Sequence, residues 1–339
     1  METNKIILNY THRQAGHCES GATSNLLNFY GHDLSEPMAF GIGNGLYFSY
    51  IPFLKVQYAP MISFRNLPNV VFHRSAKYLN IDATVVKKIR DPKESMLALD
   101  RNLERGIPTG MQVGTFNITF FPPEYRMHYN MHNFVCFGKE GNLYHISDTV
   151  MEDTQVLSYE DLLRVRYAKG PFAPNGKMYW INNVPKELDM KSAIAAGIKK
   201  TVYEMIKIPF PLIGVKGLRW LSRDLKKWPR KHGNDKASFY LGQILRMAED
   251  FGTGGAGFRY IYGAFLKESG ELLNNSELLE ASDMMGKTAN QWREFTYIGA
   301  KNCKNRAAPQ EDYGMLGNRL FEIAEMEEKV YRKLDKIKI

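Results

Sequence analysis

From about residue 187 onward, apolar residues recur at spacings of three and four, and before it that period is largely absent. The stretches 190–208, 237–251, 257–273, 276–304 and 310–336 each read as an amphipathic helix, with prolines 209, 211 and 229 punctuating the first part. The first half is mixed. Residues 91–104 read as a helix, with Asp91 as N-cap, Pro92 in the first position and Glu94 in the third. Runs rich in β-branched and aromatic residues at 70–73, 83–86, 107–113, 115–121, 131–137 and 142–147 read as short strands, with Gly138–Gly141 as a hairpin turn. Gly170-Pro171 and Pro174-Asn175-Gly176 interrupt the chain between the halves. The expected fold class is therefore α+β. A domain of helix plus antiparallel sheet spans 1–175, and an all-α domain spans 186–339.

The net charge of +9 is lopsided, its surplus concentrated in 186–236 with Lys216, Arg219, Arg223, Lys226, Lys227, Arg230 and Lys231. Such a run is either a solvated helical face or a surface for an acidic partner. No nucleic-acid partner is expected. Three scattered cysteines (Cys18, Cys136, Cys303) make no disulfide framework and no zinc-type CxxC pair, which fits a reducing compartment. No run approaches the roughly 18 apolar residues of a membrane span, and Met1–Lys5 lacks a signal-peptide pattern, so a cytoplasmic protein is expected. Gly252-Thr253-Gly254-Gly255-Ala256-Gly257 has the composition of a phosphate cradle. It lacks the P-loop Lys and a clear preceding strand, and reads better as a helix–helix turn.

The chemistry-bearing residue is Cys18, in His17-Cys18-Glu19-Ser20-Gly21-Ala22 ahead of a helical run ending near Gly31. A thiol in the first turn of a helix meets unpaired N–H groups and the positive end of the dipole, which favour thiolate. A nucleophilic cysteine needs a base and a group to orient that base. His132 begins one arm of the expected hairpin and Asp148 ends the other, so the two lie side by side. A rival pattern uses Glu124, His128, His132 and Cys136, which recur every four residues and would line one face of a helix as a zinc site. The aromatic and β-branched content of that stretch favours a strand instead. Neither a metal nor a cofactor is expected.

His17-Cys18-Glu19-Ser20, Leu26-Leu27, Gly31, Leu34-Ser35-Glu36 and Phe40-Gly41-Ile42-Gly43-Asn44-Gly45-Leu46-Tyr47-Phe48 resemble the N-terminal domain of the butirosin biosynthesis protein H family. Gly252–Gly255, Phe258-Arg259, Tyr262 and Phe265-Leu266 resemble the helical domain of unknown function that often follows it. The resemblance implies a papain-like fold, with Cys18, His132 and Asp148 as its triad. It further implies secondary-metabolite biosynthesis by acyl transfer. The donor would be an acyl thioester on an acyl carrier protein or coenzyme A, and the acceptor a small-molecule amine. A cysteine amidohydrolase or peptidase, and a non-catalytic binding protein on the same fold, remain open readings. Glu36, the glycines Gly43 and Gly45, and Gln14 are the expected substrate-binding residues. Papain-like enzymes often carry an oxyanion-stabilising Gln six residues before the cysteine. Here that position is His12, which leaves the Cys18 backbone N–H as the expected donor. The stretch 110–116 also departs from the Asp-bearing strand of relatives.

Overall fold

The computed structural model describes residues 5–56, 58–250 and 252–339. Met1–Asn4, where the absence of a leader was read, and Phe251, an expected helix end, lie outside the described residues. In chain order the elements are β1 (Lys5–Ile7), α1 (Cys18–Phe29), α2 (Glu36–Ile42), β2 (Leu46–Val56), β3 (Ala59–Arg65), α3 (Val70–Tyr78), β4 (Asp82–Val86), α4 (Pro92–Glu104), β5 (Thr109–Val113), β6 (His132–Glu140), β7 (Leu143–Ser147), β8 (Gln155–Ser158), α5 (Tyr159–Arg166) and β9 (Met178–Asn183). Helices follow: α6 (Met190–Val202) with a π turn over Tyr203–Lys207, α7 (Gly214–Leu225), α8 (Trp228–His232), α9 (Asn234–Glu249), α10 (Arg259–Leu272), α11 (Ser276–Cys303) and α12 (Tyr313–Leu334). The α+β class, with a helix-then-antiparallel-sheet first part and a helical second part, is borne out.

The chain divides into two compact units, Met1–Ala39 with Leu67–Met190, and Phe40–Asn66 with Lys191–Ile339. The division expected from the sequence ran straight through at 175–186. The chain's own contacts place the β2–β3 hairpin with the later helices, because β3 and β2 pack on α9 and α7.

In the first unit the described strands form an antiparallel sheet ordered β4-β9-β5-β6-β7-β8, with β1 also pairing β6. Val113 of β5 pairs with His132, and Val135 pairs with Ser147 of β7. The hairpin thus sets the start of β6 beside the end of β7, as its sequence predicts. The turn is tighter than expected. Gly138 belongs to the strand, where a Cβ would lie 2.9 Å from the Ile6 carbonyl of the passing β1, and Gly141 takes the positive φ of +57°. The core beneath the sheet contains Met96, Leu99, Phe134, Ile146, Leu162 and Val165.

Two expected strands are not strands. Residues 70–73 open α3, despite the strand preference of Val70-Val71. The buried carboxylate of Glu19 accepts hydrogen bonds from the N–H groups of Val71 (2.8 Å) and Phe72 (3.3 Å), supplying from across the fold the cap that Asn69 does not provide. Residues 115–121 form successive turns that bury Ile118 and Phe121 without a strand partner. The glycine-rich 41–45 stretch closes α2, and β2 opens directly after it at Leu46. Gly45 N–H returns to the Phe40 carbonyl at 2.8 Å, and Asn44 holds φ +52°.

In the second unit, α7 lies within the basic run. Val215, Leu218, Leu221 and Leu225 are its buried stripe, and Arg219 on its flank bonds Glu325 and Glu328 of α12. Part of the positive surplus is therefore neutralised inside the unit. Gly252–Gly257 is the expected helix–helix turn. A Cβ on Gly257 would meet the Phe64 ring at 2.3 Å. Beside it Arg259, fully buried, is paired with Glu327 at 2.9 Å and sandwiched near the Phe64 and Trp292 rings. Glu327 also accepts from the Trp292 indole N–H (2.8 Å) and the Tyr331 hydroxyl (3.2 Å).

Removing this carboxylate leaves a buried guanidinium without its counter-charge. Glu327→Ala is expected to cost about 3–5 kcal/mol, measured as an earlier loss of helical circular dichroism in urea. A shift under about 1 kcal/mol would contradict the pairing's role.

Candidate active site

Cys18 is the first residue of α1, with His17 as N-cap in extended conformation. It is 7% exposed. The helix is buried nearly all round over residues 18–27, so no amphipathic stripe announces it. Its polar side chains are matched to backbone groups: Thr23 to the Glu19 carbonyl, Ser24 to that of Leu34, and Asn25 to that of Arg13. His17 caps the helix through its side chain, Nδ1 accepting from Ser20 N–H at 3.3 Å. Gly21 is required by approach: a Cβ there would lie 2.5 Å from the Ala15 methyl and 2.9 Å from Thr149 Oγ1.

That approach joins the two halves of the site. Ala15 N–H donates to the Thr149 carbonyl at 2.9 Å, and Gln14 Nε2 to that of Val150 at 3.3 Å. The His12 ring bonds Ser147 Oγ (2.7 Å) and the Met151 carbonyl (3.1 Å). The segment leading to Cys18 is thereby stitched onto the turn that carries Asp148. Glu36 secures the same segment from the other side. It accepts from the N–H groups of Gly16 (2.9 Å) and His17 (2.6 Å) and from the Ser20 hydroxyl (3.2 Å). Burial raises the Glu36 pKa, against the opposing pull of those donors.

The structure brings Cys18, His132 and Asp148 together. His132 Nε2 lies 2.7 Å from Asp148 Oδ2, both side chains buried, and the other Asp148 oxygen accepts from Val150 N–H at 3.1 Å. This leaves His132 Nδ1 for Cys18, with which the ring shares a hydrogen bond. Burial works against a charged imidazole here. The negative charges of Asp148 and Cys18 and their hydrogen bonds outweigh it and lift the His132 pKa to about 10. An imidazolium facing a thiolate is the arrangement these interactions favour, and it is competent for nucleophilic cysteine chemistry.

Asn133, which sequence reasoning passed over, sets its Nδ2 4.0 Å from Cys18 Sγ and accepts at Oδ1 from the Tyr179 hydroxyl at 3.3 Å. Its one sequence signal is adjacency to His132. Of the expected substrate-binding residues, Gln14 and Glu36 serve the Cys18 segment as described. Gly43 and Gly45 belong to the second unit, in the turn after α2, where Gly45 packs on Phe40. His128 and Glu124 lie outside β6, and His128 stacks on Phe116. Cys136 is on the strand, its thiol buried and pushed up to about 12 by burial. The four-residue zinc spacing therefore finds no helix to stand on. The connection from β5 to His132 also walls a pocket of about 430 Å³ lined by Phe116, Asn117, Thr119, Pro123, Arg126 and Arg164. Phe121 of the same connection meets the His132 ring edge-on at 5.3 Å between centroids.

Fold and site together define an α+β domain carrying a buried Cys-His-Asp cluster, in one chain with a helical unit. Residues 160–334 match the family model described as Domain of unknown function (DUF4872), just over half of the chain, and the chain belongs to that family. Residues 17–149, a span that holds Cys18, His132 and Asp148, match the model described as Butirosin biosynthesis protein H, N-terminal. The resemblance carried by residues 17–48 is thus borne out. A solved structure titled as a putative C39-like peptidase from Bacillus anthracis aligns with 54% of this chain and 100% of its own. The two share 15% identity, with a TM-score of 0.37. No curated protein matches the chain. No helix among the described residues is long and apolar enough to cross a membrane.

The cluster predicts a pH profile. His132 is raised above its ordinary 6.5, so the stability its charge contributes is fully present below about 6.5 and is lost as pH climbs through about 10, and the imidazolium persists between those limits. Iodoacetamide should therefore label Cys18 at a nearly constant rate between those limits. Cys303, raised by burial, and Cys136 should lag by on the order of 100-fold at neutral pH. Equal rates at the three thiols, read by peptide mass spectrometry, would contradict the ion pair. Gly21→Ala should slow the labelling and cost about 1–3 kcal/mol in urea unfolding. A variant indistinguishable from wild type would show that the approach to Thr149 is not binding on the site.

Proposed function

We propose that this protein is a cysteine-dependent acyl-transfer enzyme. The observation that carries the proposal is the buried cluster itself, a helix-start thiol sharing a hydrogen bond with a histidine whose far nitrogen is held by a carboxylate at 2.7 Å. Cys18 thiolate attacks the acyl carbonyl. The Cys18 N–H at the helix start and the Asn133 amide donate to the developing oxyanion. His132 gives its proton to the leaving group, and an acyl-enzyme remains on Cys18. The acceptor amine then attacks the acyl carbon and gives its proton to His132, the C–S bond breaks to return the Cys18 thiolate, and Asp148 keeps the ring oriented.

The donor is an acyl thioester, on coenzyme A or an acyl carrier protein, and the acceptor a small-molecule amine. Two features support this: the match of 17–149 to a biosynthetic family model, and Arg126 and Arg164 lining a pocket in the connection that leads to His132, where they suit a phosphate-bearing donor. With an amide as donor and water as acceptor, the same machinery would be an amidohydrolase or peptidase.

Intact-mass spectrometry after exposure to a panel of acyl thioesters tests the proposal. Wild type should gain the mass of one acyl group and Cys18→Ala none. A gain in both, or in neither for any thioester, would refute it. Adding amines then separates transfer from hydrolysis by the product formed. Asn133→Ala should slow acylation by on the order of 100-fold while leaving iodoacetamide labelling of Cys18 within about twofold, because alkylation builds no oxyanion. Parallel losses in both reactions would remove Asn133 from the oxyanion site.

A further inference from the structure

The β2–β3 hairpin of the second unit ends in side chains that its fold does not use. Phe53 is 77% exposed, Leu54 48%, Val56 38% and Tyr58 88%. Folding does not require this. Ile51 pairs with Met61 and Lys55 with Pro60, so residues 52–54 face no partner and bulge from the ladder, carrying Phe53 and Leu54 outward. At the turn, Tyr58 holds φ +68°, a conformation that glycine or asparagine adopts at less cost than an aromatic residue. An aromatic side chain kept in strained backbone and in water is a feature that folding alone would replace.

The surroundings are basic and aromatic. The Lys55 ammonium lies 4.9 Å from the Tyr240 ring centroid, and the His232 ring packs edge-on to the same ring at 5.3 Å. Lys55, Lys231 and Lys236 all bear electrostatically on His232, and Asp224 is the acidic group that opposes them there. Asp224 is itself engaged by the Trp228 indole N–H at 3.2 Å and by Lys231 at 3.7 Å. Phe239, next along α9, is 42% exposed.

From this juxtaposition we infer that the hairpin tip is a peripheral anchor for an anionic lipid surface. Phe53, Leu54, Val56 and Tyr58 enter the headgroup boundary, and Lys55, Lys231 and Lys236 meet the lipid phosphates and carboxylates. Lipid fits better than a protein partner because the apolar side chains project from a bulge and a turn. A convex tip enters a fluid headgroup layer without a shaped counterpart, whereas a protein partner would need a matching groove. Aromatic residues flanked by lysines are the composition that the interface favours.

Co-sedimentation of the full chain with vesicles tests the inference. Binding should be strong to phosphatidylcholine containing roughly a third phosphatidylserine, weak to phosphatidylcholine alone, and reduced by salt near 0.5 M, roughly. Phe53→Ser with Tyr58→Gly should lower the partition coefficient at least about tenfold. Tyr58→Gly relieves the strained φ, so this variant should fold normally, and it should label Cys18 at the wild-type rate. Lys55→Glu with Lys236→Glu should lower binding by about fivefold or more per lysine. Wild-type protein that fails to bind the anionic vesicles, or a Phe53/Tyr58 variant that binds equally well, would overturn the inference. Retention of wild type on immobilised polyglutamate with no vesicle binding would overturn it in favour of an acidic protein. A wild-type dimer made monomeric by Phe53→Ser with Tyr58→Gly would overturn it in favour of a second copy.

Discussion

The site depends on the seam between residues 12–15 and 147–151. Cys18 begins a helix near the N-terminus, and Asp148 follows the far end of a hairpin, more than a hundred residues later. Nothing local holds them in register. The bonds Ala15 to Thr149, Gln14 to Val150 and His12 to Ser147 and Met151 do so, and the missing side chain of Gly21 lets α1 close onto Thr149. Because the seam is made partly by backbone groups, it tolerates little change in the path of either segment. The Gly16 and His17 N–H groups, held by Glu36, finish the task by aiming the chain into the helix.

Electrostatics then decides what the assembled groups become. A histidine this deeply buried would ordinarily be neutral. Two anionic neighbours reverse that outcome, one across each ring nitrogen, and the helix start favours the sulfur as the second anion. The three groups stabilise one another's charges, so removal of any one changes the protonation of the others. Their effects on activity are accordingly expected to be far from additive.

Much of this was legible in the sequence, and the parts that were not share a physical cause. Cys18, His132 and Asp148 were visible because each sits at an element boundary marked by local signals: a cap, a hairpin and its turn. The long helices α9 to α12 were visible through their period. Glu19 as the cap of α3 was not, because its partners lie some fifty residues away and Val70-Val71 carry the local preference of a strand. α7 was hidden by its charges, since a run of lysines and arginines masks a buried stripe of Val215, Leu218, Leu221 and Leu225. The role of Glu36 was read as substrate-binding because a sequence shows an acid near a cysteine without showing which N–H groups occupy it. Asn133 was missed because its contact with the thiol depends on where α1 begins relative to β6, which is set by tertiary packing alone.

The motif around Cys18 therefore encodes mostly support. His17 caps, Glu19 binds α3, Ser20 closes onto Glu36 and Gly21 admits Thr149, all to hold one sulfur against one imidazole. The most direct test of that claim is nitrogen NMR of the His132 ring across a pH titration. The account predicts a ring protonated on both nitrogens at pH 8, roughly, losing its proton only on approach to about 10. A titration midpoint near the ordinary 6.5 would contradict it.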